Sequence, residues 1–222
     1  MSKFGKLFAF SLVLLVGVLL GFSQPTEASE VKSFKAPVGS IFVEIPYDKN
    51  KVELEKINST DPNVDQVNVY DKETNELITE IKVEEEPLVQ TNGFSTNATT
   101  NSYTQMTVTQ STGTSYGKAF LKARLNVYSS GSFRQINEVN TTWWEASSGM
   151  AYLEQQNSSA ISTTGKYPTT KINVSGAATL TAEISNDYTV GFEAAGFSIS
   201  GGASGTYYAR KNVSHSYTYS LY

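Results

Sequence analysis

The chain has 222 residues, with 17 Lys and Arg against 21 Asp and Glu, a net charge of −4 and a pI near 5.1. That balance argues against nucleic acid or an anionic bilayer as an electrostatic partner, because both are bound mainly through Lys/Arg clusters. Apolar residues at 39% with only 17% charged exclude a highly charged disordered chain, and the lack of cysteine excludes disulfide stapling, thiolate chemistry and a lipidated cysteine.

Met1 to Ala28 reads as an export signal: Lys3 and Lys6 precede the apolar run Leu7 to Phe22, and Thr26-Glu27-Ala28 offers a small-residue cleavage site. The apolar run is about 16 residues, short of the roughly 20 a spanning helix needs. The expected mature chain begins at Ser29 and is secreted, with no stable membrane anchor after cleavage. A long apolar signal followed by a cysteine-free acidic domain resembles, in general layout, exported proteins of Gram-positive bacteria. That resemblance implies no particular activity.

Two compositional zones follow. Ser29 to Gln90 holds seven Lys against 14 acids, whereas Thr91 to Tyr222 holds eight Lys and Arg against six acids and is rich in Ser, Thr and Asn. The expected organisation is a signal over 1–28, a small acidic hairpin-rich β subdomain over 29–90, and a second β domain over 91–222. Glu84-Glu85-Glu86-Pro87 and Thr91-Asn92-Gly93 supply the boundary chemistry.

Short strand runs are predicted in the acidic zone at Ile41 to Ile45, Val52 to Ile57, Gln66 to Tyr70 and Leu77 to Val83, the last two joined as a hairpin by Asp71 to Glu76. Further along, Ala119, Leu121, Ala123, Leu125 and Val127 fall on one face of a strand opposite Lys118, Lys122, Arg124 and Asn126. Ala178, Leu180, Ala182 and Ile184 form a second such row, and Val213, His215, Tyr217, Tyr219 and Leu221 a third. Less regular runs lie at 103–109, 133–139, 141–146, 150–155, 171–175 and 207–211. No mature segment carries a helical period. The expectation is an all-β protein, an antiparallel β-sandwich or partly closed barrel.

Catalytic sets are mostly missing. His215 is the single histidine, sits in an apolar row and is expected to be a packed imidazole bonded to a tyrosine, so neither a multi-histidine metal site nor a Ser-His-Asp triad is predicted. Glu138, Glu145, Glu154, Glu183, Asp187 and Glu193 are the acids available to a carboxylate-based glycoside hydrolase, and scattered surface charge accounts for them more simply. Asp61-x-Asn63-x-Asp65 opens like a calcium loop but has Gln66 where the turn glycine belongs and Lys72 where the bidentate Glu belongs. Gly191 to Gly205 lacks the Lys-Ser/Thr of a phosphate loop and reads as close packing or a flexible hairpin.

Aromatics are the positive signal. Trp143 and Trp144, turned by Ser147-Ser148-Gly149 toward Tyr152, place one tryptophan on each face of a strand, and Tyr208 and Tyr222 extend the candidate surface. Trp143, Trp144, Tyr152, Tyr208 and Tyr222 are therefore the predicted binding residues, with no catalytic residues, no metal and no cofactor. The functional expectation is a secreted, non-enzymatic binding or interaction module at the bacterial cell envelope or extracellular surface, its partner a cell-wall glycan or another extracellular protein. The competing class is a small pore-forming or bacteriocin-like toxin whose Ser/Thr-rich strands rearrange into a membrane barrel. Phe94 to Gly117 has a sparse apolar row and Phe192 to Tyr208 is small and glycine-rich, which ranks that class second.

Overall fold

The computed structural model describes residues 32–88, 101–147, 151–202 and 205–222. The expected export signal and the turn residues 91–93 and 148–150 lie outside them.

Strands β1 (Phe34–Val38) and β2 (Ile41–Ile45) form a hairpin whose turn uses Gly39 at φ +57°. Strands β3 (Val52–Ile57), β4 (Val64–Asp71) and β5 (Leu77–Pro87) follow as a meander, with the expected β4–β5 hairpin present. Its turn is organised by Asp71, whose Oδ1 accepts the backbone N–H groups of Glu73 at 2.8 Å and Thr74 at 2.9 Å. Those two bonds, Thr74 first, hold the Asp71 carboxyl below the usual range.

The chain then builds long strands: β6 (Asn101–Thr114), β7 (Gly117–Ser130), β8 (Phe133–Ala146), β9 (Ala151–Ser162) and β10 (Lys171–Ile184). After β10 come a 3₁₀ turn (Asn186–Tyr188), a short helix α1 (Thr189–Ala194) and β11 (Ser198–Gly201), before β12 (Tyr207–Ser220) closes the fold.

Two all-antiparallel sheets pack face to face as a β-sandwich rather than a closed barrel. One runs β3-β4-β5-β6-β7-β8 in chain order; the other runs β1-β2-β12-β10-β9, with β11 attached to β12. The compositional boundary near 87–95 does not separate two folds. β5 of the acidic zone pairs with β6, β2 pairs with β12, and residues 32–222 form one compact unit. Ser147-Ser148-Gly149 likewise does not join a hairpin: β8 pairs with β7 in one sheet, and β9 pairs with β10 in the other.

Alternation decides which side chains enter the core. Ala119, Leu121, Ala123, Leu125 and Val127 of β7 face Ile172, Val174, Ala178, Val213, Tyr217 and Tyr219 of the other sheet, all buried. Irregularities adjust the phase. Between Arg124 and Leu125, and again between Asn126 and Val127, β8 gains a residue against β7, so Ile136, Val139 and Trp144 all point inward although their spacing is not even. Polar links cross the interface as well. Tyr217 donates its hydroxyl to the Leu121 carbonyl at 2.7 Å, and His215 Nε2 lies 2.8 Å from the Ser111 carbonyl. The expected histidine–tyrosine hydrogen bond is replaced by this carbonyl, with the Tyr217 ring edge-on to the imidazole at 5.9 Å. Burial lowers the His215 pKa.

Candidate functional site at the insert end of the sandwich

The predicted aromatic residues are distributed over four places. Trp144 is core, 6% exposed, and its Nε1–H donates to the Asn157 carbonyl at 2.8 Å across the sandwich. Its indole lies over Gly176, where an added Cβ would stand 2.8 Å from Nε1. Trp143 is half-buried on the outer face of its sheet, flanked by the Lys122 ammonium at 5.9 Å and the Arg124 guanidinium at 5.4 Å from the ring centroid. One tryptophan in and one out matches the alternation.

Tyr152 and Tyr208 come together on the outer face of the other sheet, opposite Thr181 and Glu183 of β10 respectively. Tyr222 lies at the opposite end of the sandwich, its hydroxyl on the carbonyls of Ser132 and Arg134 at 3.3 and 3.1 Å. It secures the β7–β8 turn.

Beside Tyr152 and Tyr208 runs a polar network. Glu154 Oε2 accepts from the Thr181 hydroxyl at 2.9 Å and from Arg210 Nε at 3.1 Å, and Arg210 also covers the Tyr208 ring at 5.1 Å. The Thr181 hydrogen bond first, then Arg210, holds the Glu154 carboxyl below its ordinary range. A groove of about 400 Å³ follows, lined by Glu154, Gln155, Ser198, Arg210, Lys211 and Asn212 among others. Among the described residues no group of three or more His, Asp or Glu side chains is placed to hold a metal ion.

The most distinctive feature is the insert between β10 and β12. Helix α1 ends in a Schellman motif, with Gly196 N–H bonding the Glu193 carbonyl at 2.9 Å and Phe197 N–H bonding the Phe192 carbonyl at 3.0 Å. Gly196, at φ +82°, provides the left-handed residue. Phe192 and Phe197 meet edge to face at 5.1 Å and fill a small core of their own with Leu180, Ala182, Ile184 and Ala209. Tyr116, from the β6–β7 turn, lies against Phe192 at 4.7 Å, and its hydroxyl would stand 2.5 Å from a Cβ added at Gly191. Lys211 Nζ donates to the Ala195 carbonyl at 2.9 Å. Not everything apolar is covered: Tyr188 is 57% and Val190 75% exposed.

The β10–β12 register exposes a pattern hidden in the linear sequence. Fourteen pairs run from Lys171↔Ser220 to Ile184↔Tyr207 without a shift. Were that register carried on through the insert, Val190 would fall opposite Gly201, Phe192 opposite Ile199 and Ala194 opposite Phe197, with Ala195-Gly196 as a two-residue tip, whereas the folded chain pairs β11 with β12 instead. The intervening positions would pair Ser185 with Thr206, Thr189 with Gly202, Gly191 with Ser200 and Glu193 with Ser198, with Asp187 on the same row. One row is apolar apart from Asn186 and Gly205 at its base and Gly201 along the second arm; the other is polar or glycine. Reading from Phe192 onward, as glycine-rich sequence, misses this because the apolar row changes parity at the tip.

Comparison with known protein families, with curated proteins and with solved structures finds no match for this chain. The fold itself defines the class: an antiparallel β-sandwich carrying a folded insert in a long, regular hairpin.

Proposed function

We propose that this protein is a secreted, membrane-inserting, pore-forming β protein whose insert unfolds from the sandwich end and extends the β10–β12 hairpin through a lipid bilayer. The observation that supports the reading is the shift-free β10–β12 register, which sorts the insert into one apolar and one polar row when carried to the tip.

Length agrees with this reading. Each arm from Ser185 to Ala195 or Gly196 to Thr206 has about 11 residues, about 36 Å of strand, and at a tilt near 40° spans about 28 Å against an apolar band of about 25 Å. The apolar row would face lipid and the polar row a lumen. Backbone groups on the outer edges of a single inserted hairpin have no partner in hydrocarbon, so several copies must close a ring. With eight strands as the smallest common barrel, that is roughly four copies. The negative charge of the chain favours a neutral bilayer over an anionic one.

Detachment breaks the β11–β12 pairing (Ser198↔Arg210 to Gly201↔Tyr207) and uncovers Phe192 and Phe197. Lipid then accepts the same apolar surface. The chain has no native cysteine, so Ser200→Cys with Tyr208→Cys, a paired position of β11 and β12, creates a reversible lock. Phosphatidylcholine vesicles loaded with a self-quenched dye should stay intact with the oxidised protein and leak after reductant. Single cysteines at residues 187 to 193 carrying a polarity-sensitive dye should report apolar surroundings at 188, 190 and 192 and aqueous ones at 187, 189 and 193. No leakage with the unlocked protein, or no alternation, would defeat the proposal. Secretion with a mature start at Ser29 is part of it, and N-terminal sequencing of the exported protein checks that point.

A second reading, recognition of a cell-wall glycan or another extracellular protein, is favoured by Tyr152, 43% exposed, standing with Tyr208 beside the Glu154–Arg210 groove. It predicts that Tyr152→Ala abolishes glycan or cell-wall retention while vesicle leakage is unaffected.

A further inference from the structure

We infer that the pore is cation-selective, its selectivity set by two rings of carboxylates from Asp187 and Glu193. This rests on the membrane-insertion reading and adds to it the class of solute that passes.

The sign of the lumen follows from the register. Between Ser185 and Ala209 the chain contains Asp187 and Glu193 and no Lys or Arg. With the β10–β12 register carried on to the tip, both acids fall on the polar row, Asp187 near the base and Glu193 opposite Ser198 one pair from the tip. Their neighbours along that row are Ser, Thr and Gly, which hydrogen-bond water but carry no countercharge. In the sandwich both residues are exposed, and among the described residues neither takes part in an ion pair. Insertion therefore breaks no salt bridge of either acid.

The basic residues of the hairpin sit below the span. Arg210 is three positions beyond Tyr207 and is engaged by Glu154; Lys211 belongs to the opposite, core-facing row. Each copy thus contributes two uncompensated negative charges to the spanning part of the lumen. A low-dielectric wall concentrates the field of such rings, enough to enrich cations over anions by about tenfold.

The experiment is reversal-potential measurement in planar phosphatidylcholine bilayers across a KCl gradient at neutral pH, with the full exported protein. The expected wild-type result is a potential of the cation-selective sign, corresponding to a K⁺ over Cl⁻ permeability ratio of about ten. In Asp187→Asn/Glu193→Gln the ratio should fall toward one. Repeating the wild-type measurement at molar KCl, where the Debye length falls to about 3 Å, should do the same without any substitution. This second measurement keeps the test decisive if the double variant inserts poorly. Wild-type channels that are non-selective or anion-selective, or a ratio unmoved by both treatments, would overturn the inference while leaving the insertion reading intact. Absence of channels from the wild-type protein would overturn both.

Discussion

The contact between Tyr116 and Phe192 offers a way to separate opening of the insert from everything that follows. Tyr116 lies outside both arms of the hairpin, so replacing it alters only the folded sandwich and the ease with which the insert leaves it. In Tyr116→Ala, Phe192 loses a tilted ring whose centroid lies 4.7 Å away, and the backbone at Gly191 loses the hydroxyl seated against it. An aromatic pair contributes about 0.5–1.5 kcal/mol beyond the area it covers, and uncovering part of a fully buried Phe192 adds a similar amount, so the docked insert should lose about 1–2 kcal/mol. That raises the population of the detached insert about 5- to 30-fold. Two measurements follow. Hydrogen exchange at the amides of Gly196 and Phe197, which close the Schellman motif, should accelerate by that factor while amides of β7 do not change. Dye release from neutral vesicles should accelerate in the same proportion, since the inserted hairpin contains no Tyr116. Faster exchange with unchanged release would refute detachment as a step on the route to the membrane.

Other expectations concern the body of the sandwich. Gly176→Ala sets a Cβ 2.6 Å from the Asn157 carbonyl and 2.8 Å from Trp144 Nε1; it should lower stability by about 1–3 kcal/mol in urea denaturation and shift tryptophan emission. Trp144→Ala should cost about 3–5 kcal/mol, whereas Trp143→Ala, losing its Lys122 and Arg124 contacts on the outer face, should cost about 1 kcal/mol; equal losses would contradict the inward and outward assignment. The lowered His215 pKa means that the unfolded chain takes up its proton first. The associated stability is therefore complete above about pH 6.5 and is lost as pH falls through the folded value, a slope that His215→Gln should remove from denaturation midpoints measured between pH 8 and 5.

Local alternation carried much of the fold. The rows Ala119 to Val127, Ala178 to Ile184 and Val213 to Leu221 enter the core as the period requires, because each strand is covered on one side only. Where a strand changes phase, the same reading splits it: the two extra residues of β8 made one 14-residue strand look like separate runs ending at Val139 and beginning at Thr141. Sheet membership was not legible either. Nothing in Trp144 to Tyr152 distinguishes a hairpin from a crossing between sheets, and that crossing is what separates the buried indole from the exposed phenol. β1 escaped because its five residues include Lys35 and Pro37 between apolar neighbours, and β11 because its four residues acquire meaning only through their pairing with β12.

The insert shows the opposite failure, in which local sequence is ambiguous because its pattern fits both the observed helix and the strand that the insertion reading requires. Thr189 to Ala194 forms a short helix when Gly196 caps it and Phe197 folds back on Phe192. The same residues alternate correctly for a strand when the β10 register is continued, with Gly196 at the tip in place of the cap. Gly196 serves both, since a positive φ suits a helix C-terminus and a tight hairpin alike. Water selects the compact form by rewarding burial of two phenylalanines. On the insertion reading a bilayer would remove that reward, because lipid would cover Phe192 and Phe197 as the sandwich does, and it would penalise any backbone group left unpaired. The balance then depends on whether neighbouring copies complete the pairing. On this argument release should rise more steeply than linearly with protein concentration, with an order near the number of copies in the ring. A strictly first-order dependence, at concentrations where the soluble protein is monomeric, would mean that one hairpin disrupts the bilayer alone and that no closed barrel forms.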